Sequence, residues 1–168
     1  MEPKIDSADW KKIKLIVFDF DGVMTDNKVI VDENGKESVR CDRGDGLGVE
    51  YYKKKGGKML VISKEKNKVV EARCKKLGIR VFYGVDSKLD LFKQEVKKLN
   101  LTMQEVCYIG NDVNDLECIK EAGIGVAVND SYPEVKKIAN YITTKKGGKG
   151  AFREIIELIL YAKDISNS

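Results

Sequence analysis

Histidine is absent from this chain of 168 residues. Its absence removes imidazole general bases, His-containing triads and His metal ligands, leaving carboxylates, lysine, serine and the backbone to do any chemistry. Cysteine is sparse: Cys41, Cys74, Cys107 and Cys118 form no Cys-x-x-Cys pair. With no histidine to complete a ligand set, a zinc site is not expected, and reduced thiols are. No window approaches the roughly 18 apolar residues of a membrane span. Trp10-Lys11-Lys12 precedes only a short apolar run that ends in an acid, unlike a secretory leader, so a cytoplasmic protein is expected. Charge of one sign is also scarce. The net +4 comes from scattered lysines, and the short runs at 53–55 and 145–146 suit solvated faces better than a nucleic-acid footprint. At 42% hydrophobic and 35% charged, the chain reads as a single globular domain over 1–168, able to bury a core without staples.

What is present begins at Ile13-Lys-Leu-Ile-Val-Phe-Asp19-Phe-Asp21-Gly22-Val-Met-Thr25-Asp26. The apolar run 15–18 reads as a strand buried on both faces, as in a parallel sheet. Alternate residues of an extended chain point the same way, so Asp19 and Asp21 leave the strand end together. Two anions at the edge of a core oppose folding through desolvation and repulsion unless something positive sits between them. A hard divalent cation with oxygen ligands is the simplest such partner. Taken alone, the pair also reads as a solvated Asp-x-Asp-Gly turn.

A polar lead-in is expected to about residue 12. After the first strand, segments 28–31 and 36–40 flank Asn34-Gly35, a strong hairpin signal. Helices are expected over 46–55, 66–77, 87–99, 115–122, 132–139 and 151–162, with strands at 58–62, 80–82, 105–109, 124–128 and 141–142. This alternation implies an α/β fold with a central parallel sheet and helices on both faces. In such sheets ligands bind beyond the carboxyl ends of the strands. Those ends supply Asp19 and Asp21, then Ser63 followed by Lys64 and Glu65, then Lys88 at the head of a helix, and finally Gly110-Asn111-Asp112-Val-Asn-Asp115. Singly, Ser63 reads as a helix cap, Lys88 as a surface lysine, and 110–115 as a capped turn. Together they are the parts of a phosphoryl-transfer site. Two other glycine-rich stretches are decoys: Gly147-Gly-Lys-Gly lacks the Ser/Thr of a Walker loop, and Gly44-Asp-Gly46-Leu-Gly48 lacks dinucleotide-fingerprint spacing.

These four ordered motifs resemble those of haloacid dehalogenase (HAD) superfamily phosphatases, over about residues 13–128. Arg43-Gly-Asp45-Gly46-Leu-Gly48 and Gly147-Gly-Lys-Gly-Ala-Phe-Arg153-Glu154 are similar to a narrower group. That group comprises 3-deoxy-D-manno-octulosonate 8-phosphate phosphatases, nonulosonate 9-phosphate phosphatases and the phosphatase-like C-terminal domains of CMP-sialic acid synthetases. The resemblance implies a Rossmann-like three-layer sandwich. It implies Asp19 as a nucleophile that forms an aspartyl phosphate, Asp21 as acid and then base, and Ser63 and Lys88 as holders of the phosphoryl oxygens. Mg²⁺ would rest on Asp19, the Asp21 carbonyl and the 111–115 motif. Asn111 stands where a carboxylate ligand is usual, so weak Mg²⁺ dependence is expected, with Asp112 as a substitute ligand and Asp115 orienting the metal shell or Lys88. Glu65 and Arg73 fall where relatives contact substrate.

Only 41 residues separate Asp21 from Ser63, and 24 separate Ser63 from Lys88. Neither gap holds a cap domain, so a capless enzyme is expected, with the hairpin at about 28–41 as its flap. In the resembling group such hairpins assemble a homotetramer, and a neighbour's C-terminal segment (about 143–163 here, including Arg153) reaches the site. An eight- or a nine-carbon sugar acid phosphate fits this reading. The alternative is a weakly active, phosphatase-like oligomerisation domain working with a sialic acid cytidylyltransferase. Asn111 and Lys64 favour it; intact Asp19, Asp21, Ser63 and Lys88 oppose it.

Overall fold

The computed structural model describes residues 5–165. Its centre is β1 (Leu15–Phe18), whose four residues are all buried. The hairpin strands β2 (Ile30–Val31) and β3 (Glu37–Ser38) follow, then β4 (Lys58–Ile62), β5 (Arg80–Phe82), β6 (Val106–Gly110), β7 (Ile124–Ala127) and β8 (Tyr141–Ile142). Six of these form one parallel sheet in the order β5-β4-β1-β6-β7-β8. Val17 of β1 is in register with Leu60 on one side and Tyr108 on the other. The chain therefore builds outward from β1 in one direction, then crosses back and builds outward in the other. Beside β1 the strand order reverses, which opens a crevice at the carboxyl ends.

Side chains alternate across the sheet. Ile16 and Phe18 join a core with α1 (Ser7–Lys12), α2 (Arg43–Lys54), α3 (Val69–Leu77) and α7 (Ala151–Ile165); Phe18 stacks at 4.3 Å on Phe152. Leu15 and Val17 join the opposite core with α4 (Lys88–Lys98), α5 (Leu116–Glu121) and α6 (Pro133–Ile138). The result is the expected three-layer α/β/α sandwich. Each large apolar side chain buried this way contributes about 1.5–3 kcal/mol.

Local chemistry moved several boundaries. The lead-in ends in helix α1 rather than coil, because Asp6 and Asp9 form a reciprocal cap and Trp10 is buried; residues 1–4 lie outside the described residues. Helix α2 starts at Arg43, ahead of the expected 46, because Asp42 accepts from Asp45 N at 3.1 Å. Helix α3 starts late, since the Asn67 side chain turns the chain just before it, accepting from Val69 N at 3.0 Å. In the hairpin, Asn34-Gly35 does not make a two-residue turn. The Asp32 carboxylate gathers the Asn34 and Lys36 amides at 2.9 Å each, closing a longer connection in which Gly35 alone has positive φ, +77°. The hairpin is tied to the body by a Thr25–Cys41 bridge and by Asn67 Nδ2 donating to Glu37 Oε2 at 2.6 Å. Among the described residues nothing larger than this hairpin and α2 lies between β1 and β4. No described helix is long and apolar enough to cross a membrane.

Candidate active site

Each strand bordering the crevice delivers one polar side chain just past its end. Asp19 N donates to Ile109 O at 3.0 Å, carrying the β1–β6 ladder one residue further, and Asp19 Oδ1 accepts from Phe20 N at 2.8 Å. The carboxylate is thereby fixed and buried. Ser63 continues β4 in the same way, its N donating to Phe82 O at 2.8 Å, while its Oγ accepts from Glu65 N at 3.2 Å. After β6, Asn111 N donates to Asp115 Oδ2 at 3.0 Å, which folds the 110–115 loop around that acid.

Lys88 opens α4 and points into the crevice, only 4% exposed. Its ammonium lies 2.9 Å from Asp115 Oδ1 and 3.2 Å from Asp19 Oδ1. Burial pulls its pKa down, but the two carboxylates more than offset this and leave it above the ordinary lysine value. Asp19 is pushed up to about 7, chiefly by burial and then by Asp115, against the pull of Lys88. Asp21, half-buried, is also raised: burial comes first, then the carboxylates of Glu65 and of Glu37 on the hairpin, with Lys88 and a Thr25 hydrogen bond opposing. Glu37 lines a smaller pocket beside the cleft together with Asp21, Glu65 and Asn67. The cleft measures about 410 Å³ and is lined by Asp19, Asp21, Ser63, Glu65, Asn111 and Asp112, among others.

The residues fit a divalent cation of the hard, oxygen-loving kind. Asn111 Oδ1 is buried at the cleft without a hydrogen-bond partner, and Asn111 is seated where a side chain on Gly22 would collide with its amide. A positive charge there would also return Asp19 to its ionised form at neutral pH. Among the described residues no three acidic or cysteine side chains surround one point. An ion would therefore rest on Asp19, an amide oxygen, backbone and water, a set that suits an ion retaining much of its water.

Three of the expected site residues are placed away from the cleft of their own chain or are fully occupied within it. Asp115 has no oxygen left for a metal: Oδ1 takes Lys88 and the Tyr108 hydroxyl (2.9 Å), and Oδ2 takes the Asn111 and Asp112 amides. Of its two expected roles, the contacts match the orienting of Lys88. Arg73 does not line the cleft of its own subunit. Helix α3 points it at Gly46, into a separate groove with Val39, Cys41, Arg43 and Lys76. Arg153 also lies elsewhere, its guanidinium bonded to Glu157 at 2.8 Å and set over the Tyr51 ring at 5.4 Å. The segment 147–150 that precedes it packs against Gly22 and Thr25 of its own chain. Tyr108 was missed. The available signal was a phenol inside an otherwise apolar buried strand, where its hydroxyl must find a partner.

Fold and site together define a phosphoryl-transfer hydrolase. Residues 62–155 match the model of the haloacid dehalogenase-like hydrolase family. The chain is 34% identical over 154 residues to 3-deoxy-D-manno-octulosonate 8-phosphate phosphatase KdsC of Escherichia coli strain K12, covering 91% of this chain and 82% of that protein. The enzyme of that function from Moraxella catarrhalis, solved with magnesium ion, phosphate ion and KDO, superposes with TM-score 0.91 at 36% identity, covering 96% of this chain and 93% of that one. The cobalt-bound phosphatase from Haemophilus influenzae gives 0.88 at 31%, covering 93% and 92%. The chain belongs to the haloacid dehalogenase-like hydrolase family. Within that family it is a phosphoric monoester hydrolase of the 3-deoxy-D-manno-octulosonate 8-phosphate phosphatase-like group.

Proposed function

We propose that the protein is a Mg²⁺-dependent phosphatase of a keto-deoxy sugar acid phosphate, either 3-deoxy-D-manno-octulosonate 8-phosphate or a nonulosonate 9-phosphate. One observation carries the reading: a buried ammonium, Lys88, bridges Asp19 and the fully satisfied Asp115 in the same crevice as Ser63 and the unpartnered Asn111 oxygen. Asp19 Oδ attacks phosphorus in line, the sugar oxygen leaves, and an aspartyl phosphate forms. Asp21 protonates that leaving oxygen, and its raised pKa suits the task. Asp21 then takes a proton from the water that hydrolyses the acyl phosphate. Ser63 Oγ and Lys88 Nζ hold the phosphoryl oxygens, where charge accumulates in the transition state. Asp19, the Asp21 carbonyl and Asn111 Oδ1, with Asp112 beside them, would hold Mg²⁺, which when bound would supply the positive charge that offsets repulsion between two anions.

Glu65 contacts the sugar from the cleft rim. Any contribution of Arg73 or Arg153 to substrate binding comes from a neighbouring subunit. The hairpin leaves Val29, Ile30 and Val31 exposed by 55%, 65% and 56%, and an assembly of hairpins, a homotetramer, covers them. The setting is cytoplasmic. The test is phosphate release from both sugar phosphates with and without Mg²⁺. Release from neither would sink the proposal.

A further inference from the structure

The loop between β8 and α7 runs backbone to backbone against the loop that carries Asp21. Gly148 N donates to Val23 O at 3.0 Å, and a side chain on Gly147 would fill the space of the Gly22 carbonyl. Gly147 N is held on its other side by Asp130 Oδ1 at 2.9 Å. The loop enters α7 at Gly150, φ +94°, which has no side chain with which to cap the helix. The cap comes from elsewhere in the chain. Asp45, in the first turn of α2, accepts from Arg153 N at 2.9 Å, the amide that a local capping side chain would satisfy. Asp45 is fully buried, its own N held by Asp42 Oδ1 at 3.1 Å, and its Oδ2 has no hydrogen-bond partner. Its charge lies between the first turns of two helices and complements the partial positive charge of both. Burial lifts its carboxyl to about 6, so it remains largely ionised at neutral pH.

From this chain of contacts we propose that Asp45 is a positioning residue for the reaction: by capping α7 from a distance it clamps the 143–150 loop, and through Gly147 and Gly148 it holds the backbone that aims Asp21 at the leaving group. The proposal rests on the reading of Asp21 as the general acid. Asp45 lies outside the cleft lining and acts only through Arg153 N, the glycine loop and Val23 O.

Two substrates separate positioning from simple support. A sugar alkoxide needs a proton to leave; p-nitrophenolate does not. Asp45→Ala, Asp45→Asn and Asp21→Asn are compared with the wild type on 3-deoxy-D-manno-octulosonate 8-phosphate in the steady state, and on p-nitrophenyl phosphate in the first turnover, read as a burst of p-nitrophenolate. The expected result is that Asp45→Ala loses at least about 10-fold more kcat on the sugar phosphate than burst rate on the aryl ester. KM changes by less than about twofold, and Asp45→Asn, which keeps an oxygen for Arg153 N, recovers most of the loss. An equal loss on both substrates, or a loss carried by KM, overturns the proposal. Asp21→Asn with no preference between the substrates removes the general acid, and the proposal with it; a preference there but not in Asp45→Ala refutes the positioning alone. If Asp45→Ala does not fold, Asp45→Ser is read by the same criteria.

Discussion

Replacing Lys88 by Met removes a buried charge and nearly none of the apolar stem. At an effective dielectric near 20, its ion pairs at 3.2 and 2.9 Å are each worth ~5 kcal/mol of attraction. Each ~1.4 kcal/mol withdrawn from a carboxylate is a tenfold loss of its ionised fraction. With the ammonium in place Asp19 already titrates at about 7. If relaxation recovers half of one pair, roughly 1% of Asp19 stays ionised at neutral pH in the metal-free variant, a fall of about 50-fold. With Mg²⁺ present, loss of the ammonium charge and of its contact to the phosphoryl oxygens lowers kcat/KM by about 10²–10³. The acid limb of the pH–rate profile moves upward. Stability follows the same sign. Asp19 titrates above its unfolded value of 3.8, so its penalty is absent below that value, grows as pH rises from there and is complete above about 7 in the wild type, and higher still in the variant. The variant is therefore less stable by about 3–5 kcal/mol at alkaline pH and recovers on acidification. Initial rates of phosphate release from pH 5 to 9, with urea unfolding at the same values, measure both. Activity within tenfold of wild type, with an unmoved acid limb, would refute the reasoning.

Other changes test separate parts of the site. Asp19→Asn should abolish phosphate release and prevent any acyl phosphate from being trapped by acid quench; surviving turnover removes the nucleophile. Asn111→Asp adds a carboxylate where the buried amide oxygen lacks a partner, and should lower the Mg²⁺ concentration for half-maximal rate; a rise would contradict the ligand assignment. Gly147→Ala places a methyl group against the Gly22 carbonyl and should cost about 1–3 kcal/mol in urea unfolding; a change below experimental error would mean that the loops part freely. Ile30→Lys charges the exposed hairpin strand, and light scattering should show smaller assemblies than wild type if hairpins join subunits.

Much of the fold was readable because parallel strands buried on both faces announce themselves as apolar runs. Lys58–Ile62 and Arg80–Phe82 fall at the expected residues, and glycine stops α3 at Gly78 in the left-handed conformation. Asp19, Asp21, Ser63, Lys88 and Asn111 were legible together because strand ends converge in any sheet with a switch point. Direction was not legible. The sequence places Arg73 on a helix after Ser63, but only packing of α3 against α2 turns its guanidinium away from the cleft. The bonding of Asp115 depends on Tyr108 and Lys88, 7 and 27 residues away, and no local pattern encodes that. Asp32 likewise overrode the Asn-Gly signal because a side-chain oxygen competed for the turn amides.

The position of β1 also has a consequence for how the chain comes to life during synthesis. Strand β1 is made before both of its neighbours in the sheet, and its ladder on one side waits for β6, some ninety residues later in the chain. The face that carries Phe18 is closed by Phe152 in α7. The nascent polypeptide thus carries Asp19 and Asp21 on an unfinished edge until β6 and α7 have emerged. Catalytic competence should appear only once α7 has left the ribosome, as a single event rather than by stages.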